Sequence, residues 1–147
     1  MPRLWICLRI ILPAVWIGLI LGLSFLETPL KFLAPGITVP LGLGIGRLVF
    51  IALSIAGWVL LVAIAAIGFA RPREGRRGWL LIVAMAVIAS LESFVLRPML
   101  AARSDVIIAG GDPGESGLHY LYIAADVLLL VVLALYVAHS ARRVRVD

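Results

Sequence analysis

LVFIALSIAGWVLLVAIAAIGFA, residues 48–70, runs for 23 residues without a charged side chain. Wound as a helix at about 1.5 Å per residue, it reaches roughly 34 Å. The hydrocarbon core of a bilayer is about 30 Å thick, so the run is long enough to cross with some tilt. Three further runs repeat the pattern. Residues 10–26 are uncharged and lead to Glu27; residues 79–96 carry one charge, Glu92; residues 118–140 hold His119, Asp126 and His139. Backbone in lipid has to satisfy its own hydrogen bonds, so each run reads as a helix. The expected fold is all-α: an integral membrane four-helix bundle, a single four-span domain over 1–147 with helices at about 5–27, 45–70, 78–100 and 117–141.

Composition points the same way. The chain is 63% hydrophobic and 14% charged, with a mean hydropathy of +1.15. A soluble domain carries about 25% charged residues, so this chain lacks the polar surface to cover a water-soluble globule.

Arginine sets the expected orientation. Residues 71–77 carry four arginines (Arg71, Arg73, Arg76, Arg77), the tail carries Arg142, Arg143 and Arg145, and the N-terminus carries Arg3 and Arg9. An even number of spans puts all three segments on one side. The other two loops hold Lys31 and Arg103 among Asp105, Asp112 and Glu115. The positive-inside bias then makes both termini cytoplasmic, in a bacterial inner membrane. The basic segments become topology determinants and lipid-headgroup contacts, and the net charge of +5 implies no nucleic-acid partner. The N-terminal run resembles a signal peptide, but no small-x-small cleavage site follows it, and it reads as a retained anchor. The one cysteine, Cys7, excludes an intrachain disulfide and a cysteine metal cluster. It reads as a small apolar residue, with lipidation as the alternative.

Six ionisable residues lie inside or at the ends of the runs: Glu27, Arg47, Glu92, Arg97, His119 and Asp126. Ionisable groups within membrane spans mark candidate functional sites. His119, Tyr122 and Asp126, three and four residues apart, share one helical stripe. They could bind a cation, relay a proton or bond one another. Glu92 has to be paired, protonated or wetted, since a lone charge at mid-bilayer costs at least ~2.5–3.5 kcal/mol. Ser90, Ser93 and Arg97 are expected on a different stripe from Glu92. Arg47 follows Gly42, Gly44 and Gly46, a helix entry that could expose backbone N–H groups to an anion or simply be flexible. Gly18 and Gly22 form a small-x-x-x-small pair expected to let helices pack closely. Pro13 is expected to bend the first helix slightly.

These positions predict one polar cluster in the outer half of the bundle. Three acids (Glu27, Glu92, Asp126) balance three bases (Arg47, Arg97, protonated His119). Mutual pairing or an anion pocket both fit that balance. The inner half is expected to be an apolar plug.

The layout resembles the small four-helix membrane proteins of the transmembrane-protein-205-like family. The likeness lies in Phe25, Pro29 and Phe32, in Gly46-Arg47-Leu48-Val49-Phe50, in Glu92 with Arg97-Pro98, and in His119 opening the fourth helix. It implies four spans and little chemistry.

The expected function is binding, or helping to move, a small ion or polar solute from the outer face, with transport requiring a homo-oligomer. The alternative is a non-catalytic accessory subunit of a larger membrane complex. A membrane enzyme or haem protein ranks last. No serine–histidine, paired-carboxylate or metalloprotease spacing occurs, and His119 and His139 lie roughly 30 Å apart on one helix. The residues identify no cofactor and no metal.

Overall fold

A computed structural model describes residues 2–70 and 72–144. Arg71 and Arg145, two of the basic flanking residues, lie outside the described residues. Four helices make up the fold: α1 (Arg3–Leu33), α2 (Val39–Gly68), α3 (Arg76–Ile108) and α4 (Leu118–Arg143). Each is long and apolar enough to cross a membrane. The structure is an all-α four-helix bundle, with no strand among the described residues. Successive helices pack side by side, and α4 closes the ring against α1. The start of α1, the end of α4 and the α2–α3 connection share one end, the terminal end; residues 34–38 and 109–117 share the other, the distal end.

The helices run further than the apolar runs mark out. The expected helices at about 5–27 and 45–70 leave a loop over residues 28–44; the structure shortens it to residues 34–38. Thr38 caps α2 by accepting from Leu41 N–H at 3.4 Å. Pro40 sits in the first turn, where its missing N–H leaves no bond unmade. α3 likewise continues to Ile108. It stops where Gly110 takes φ +84°, with Gly110 N–H bonding Ile107 O at 3.0 Å and Gly111 N–H bonding Val106 O at 2.9 Å. That two-bond stop requires the left-handed conformation glycine tolerates.

Two stretches of helix are widened. Leu21–Glu27 in α1 and Glu92–Leu96 in α3 are π-helical. Each is followed by a proline, Pro29 and Pro98. A proline has no N–H for the carbonyl four residues back, and its ring crowds that carbonyl. Those carbonyls belong to Phe25 and Phe94, inside the widened turns. Bonding shifts to five residues: Arg97 N–H reaches Glu92 O, and Thr28 Oγ1 donates to Leu23 O at 3.1 Å. Pro13, buried, leaves the helix around it α-helical.

Trp16, Ile20, Leu53, Leu61, Ile64, Met85, Leu129 and Leu133 fill the middle of the bundle. Leu48, Ile51, Ile55, Val59 and Val62 form an exposed stripe on α2, and Leu80, Val83, Val87 and Leu91 form one on α3. Apolar surface of this extent suits lipid or a partner rather than water. Close helix approach occurs at Gly57, where an added Cβ would lie 3.0 Å from the Trp16 ring, and at Gly68, 3.2 Å from Trp79. The expected Gly18–Gly22 seam is not used within the chain: nothing lies within 4 Å of a Cβ at either position.

Candidate functional site

The six ionisable residues do not form one mutually paired set. Lys31 Nζ donates to Glu27 Oε2 at 3.2 Å, one turn along α1. Arg47 donates to Asp105 Oδ1 at 2.5 Å and to Ala101 O at 3.1 Å. Both partners, Lys31 and Asp105, belong to loops on the sequence reading. Because α1 and α3 continue as helix, Lys31 falls at i+4 from Glu27 and Asp105 faces α2.

Glu92 and Asp126 are the buried core of the site, 6% and 2% exposed. Their carboxyls lie beside each other, with Ser24 next to Asp126 and Arg97 near both. Neither has a basic nitrogen within 4 Å among the described residues. Glu92 Oε1 and Ser24 Oγ are buried without a hydrogen-bond partner. Glu92 and Asp126 line a void of about 20 Å³, room for one water. Ser54 and Ser93 hydroxyls bond at 2.9 Å on its α2 side, and Trp58 Nε1 donates to Ser93 at 3.1 Å.

The widened turn of α3 explains this grouping. In a regular helix Glu92 and Arg97 face apart. A turn that bonds at i→i+5 stacks them instead, so Glu92, Ser93 and Arg97 line the same void. This corrects the expectation of separate stripes. Ser90 keeps to its own helix, donating to Ala86 O at 2.7 Å.

On the distal side lies a cavity of about 530 Å³. Its polar lining includes Lys31, Arg47, Arg97 and His119, with Thr28, Ser93, Ser104 and Tyr122; its apolar lining includes Phe32, Leu43, Phe50, Ile51 and Leu100. No carboxylate lines it among the described residues. Ser93, Arg97 and Tyr122 line both this cavity and the inner void, so the Arg97 side chain stands between the carboxyl pair and the distal space. The His119–Tyr122–Asp126 stripe runs through both levels: His119 in the cavity, Tyr122 in the shared wall, Asp126 beneath. Gly42 and Gly46 do not offer an open amide nest. They are buried within α2, where a Cβ added at Gly42 would run into the Phe32 ring and one at Gly46 would meet Lys31 Nζ at 2.8 Å. Their bare backbone seats the end of α1, and Lys31 then lies 5.9 Å from the centre of the Phe50 ring.

The expectation of a purely apolar inner half is also corrected. The apolar plug exists, but below it Arg9 and Glu74 form an ion pair at 3.4 Å with both side chains fully buried. Arg9 also donates to Ile67 O at 2.8 Å, Ala70 O at 3.1 Å and Pro72 O at 2.7 Å. His139 and Arg143 each approach Glu74 Oε1 at 3.1 Å, and Tyr136 Oη lies 3.4 Å from Glu74 Oε2. Arg9 is therefore a clamp between α1, the 69–75 turn and α4 rather than a lipid-headgroup contact. One signal in the sequence marked it: Glu74 is the single acid in a segment of arginines.

No group of three or more His, Cys, Asp or Glu capable of holding a metal occurs among the described residues. His119 and His139 lie at opposite ends of α4. Comparison of the chain with protein-family models, characterised proteins and solved structures finds no match.

Proposed function

We propose that the chain is a four-span membrane protein that binds an anion through the distal cavity, facing away from the cytoplasm. One observation carries this reading: a cavity of about 530 Å³ lined by Lys31, Arg47, Arg97 and His119, with no carboxylate in its wall among the described residues. Cavities of about 300–1,000 Å³ with a few convergent polar groups are the usual form of small-ligand sites. Arg97 is the leading contact, because among the described residues its guanidinium has no carboxylate within 4 Å and its Nε is buried without a partner. Arg47 contributes at the rim, where Asp105 already holds it.

The interior favours holding the anion over conducting it. Beneath Arg97 lie two buried carboxyls, which offer an anion no positive charge at that depth. Beneath them lie the apolar layer of Ile64, Met85 and Leu133, and then the Glu74 knot. An anion entering from the distal end therefore meets a floor.

Equilibrium binding to purified protein tests this. Inorganic phosphate and dodecyl phosphate are compared with tetramethylammonium and dodecyltrimethylammonium. At least one phosphate should bind, neither ammonium ion should, and Arg47→Gln/Arg97→Gln should lower the phosphate affinity at least tenfold while the helical circular dichroism is kept. Equal binding by the double variant and the parent chain, or binding of ammonium only, would overturn the proposal.

A further inference from the structure

The walls and depth of the distal cavity identify the kind of anion. We infer that its occupant is an anionic phospholipid of the surrounding leaflet, with its phosphate against Arg97 and Arg47 and an acyl chain leaving past Ile51. This inference rests on the anion-binding reading and names its ligand class.

The first argument is depth. From Arg76, which opens α3 at the terminal end, Arg97 is 21 residues on, roughly 32 Å along a helix. From Gly68, which closes α2, back to Arg47 is again 21 residues, roughly 32 Å. From Arg142 back to Tyr122 on α4 is roughly 30 Å, and from Arg9 to Lys31 on α1 roughly 33 Å. All four helices thus set a basic or phenolic group about one hydrocarbon thickness from the basic terminal end. If that end lies at one headgroup boundary, Lys31, Arg47, Arg97 and Tyr122 lie at the other. This is the depth of a phospholipid phosphate.

The second argument is the wall. Phe32, Phe50, Leu43 and Leu100 present apolar surface that a hydrated inorganic ion cannot use. An amphipathic ion satisfies both parts, with its charge on the guanidinium groups and hydrocarbon on the rings. The third is access. Ile51 lines the cavity and also belongs to the exposed stripe Leu48, Ile51, Ile55 and Val59 of α2. The cavity wall and the lipid-facing surface share this side chain, so an acyl chain can pass sideways between them. Charge complementarity favours an anionic lipid over a zwitterionic one, because among the described residues no carboxylate lines the wall to receive a choline or ethanolamine, and the nearby Glu27 and Asp105 are already held by Lys31 and Arg47.

The test uses the full chain, stripped of lipid in a neutral detergent and titrated with phosphatidylglycerol, phosphatidylcholine or inorganic phosphate. Native mass spectrometry counts the bound lipid. One phosphatidylglycerol should bind at least tenfold more tightly than phosphatidylcholine, and inorganic phosphate at the same concentration should not displace it. Arg47→Gln/Arg97→Gln should erase the preference. Ile51→Trp, which leaves every charge in place, should lower phosphatidylglycerol binding at least threefold. Tight binding of inorganic phosphate alone would overturn the lipid inference and leave the anion reading standing. Equal binding of both lipids, undisturbed by either variant, would overturn the lipid inference as well. Failure of every phosphate-bearing probe would remove both.

Discussion

Arg9 and Glu74 show how much one buried pair can do. Charges taken out of water are costly, and their mutual attraction offsets that cost only where further hydrogen bonds complete the geometry. Here three backbone carbonyls receive the guanidinium, while Arg143, His139 and Tyr136 gather around the carboxylate. Removing one partner strands the other. Glu74→Gln should therefore destabilise the bundle by about 3–5 kcal/mol, read as a lower midpoint in reversible unfolding in mixed micelles. Arg9→Met/Glu74→Gln should lose less than the sum of the two single variants. Additive losses would mean that the two side chains do not act as a pair. A second contrast concerns glycine. Gly57→Val drives a side chain into the Trp16 ring and should cost about 1–3 kcal/mol, the usual range for overpacking. Gly22→Ala meets open space and should be neutral or stabilising by up to about 1 kcal/mol in the same assay, since alanine favours helix.

The element that matters most to the site is the widened turn Glu92–Leu96. It exists because Pro98 cannot bond Phe94 O, and it stacks Glu92 over Arg97. Pro98→Ala restores an N–H at that point and permits an ordinary α-helical turn. The guanidinium should then rotate away from the cavity floor. Phosphate-ligand affinity should fall at least fivefold while the unfolding midpoint stays level or rises. Unchanged affinity would show that the turn does not depend on the proline. This dependence also marks the limit of what the sequence discloses. Apolar runs reveal the number and order of helices, because lipid-length hydrophobicity is a one-dimensional signal. The stripe His119–Tyr122–Asp126 was legible for the same reason: α4 is regular there, so 3.6-residue spacing holds. The grouping of Glu92 with Arg97 was not, since regular spacing points them apart. Lys31 and Asp105 escaped because a run of apolar residues ends before the helix does. Proline and glycine near Thr28–Gly44 suggested a loop, yet Pro29 is carried by a widened turn, Pro40 by a helix start, and Gly42 by packing against Phe32.

At the scale of the whole molecule, the two ends of the bundle have different jobs. The terminal end is tied shut: Arg9 bonds the 69–75 turn, and Glu74 draws in α4 through His139 and Arg143. The distal end is held at its rim, by Arg47 on Asp105 and by Arg103 on the carbonyls of Pro113 and Gly114, and it encloses the cavity. Arginine is concentrated at the tied end, and in the orientation we propose that end is cytoplasmic. A cavity opening outward then faces a leaflet or solution that the cell does not control directly, whereas an inward one would sample cytoplasmic metabolites. The orientation therefore decides which anions the site meets. Two single-cysteine chains in a Cys7→Ser background separate these cases. Ser116→Cys, exposed in the distal 109–117 segment, should react with a membrane-impermeant maleimide on intact cells. Arg73→Cys, exposed at the terminal end, should react only after the membrane is opened. The reverse pattern would place the cavity in the cytoplasm, against the charge bias, and would direct the search for its occupant to the inner leaflet.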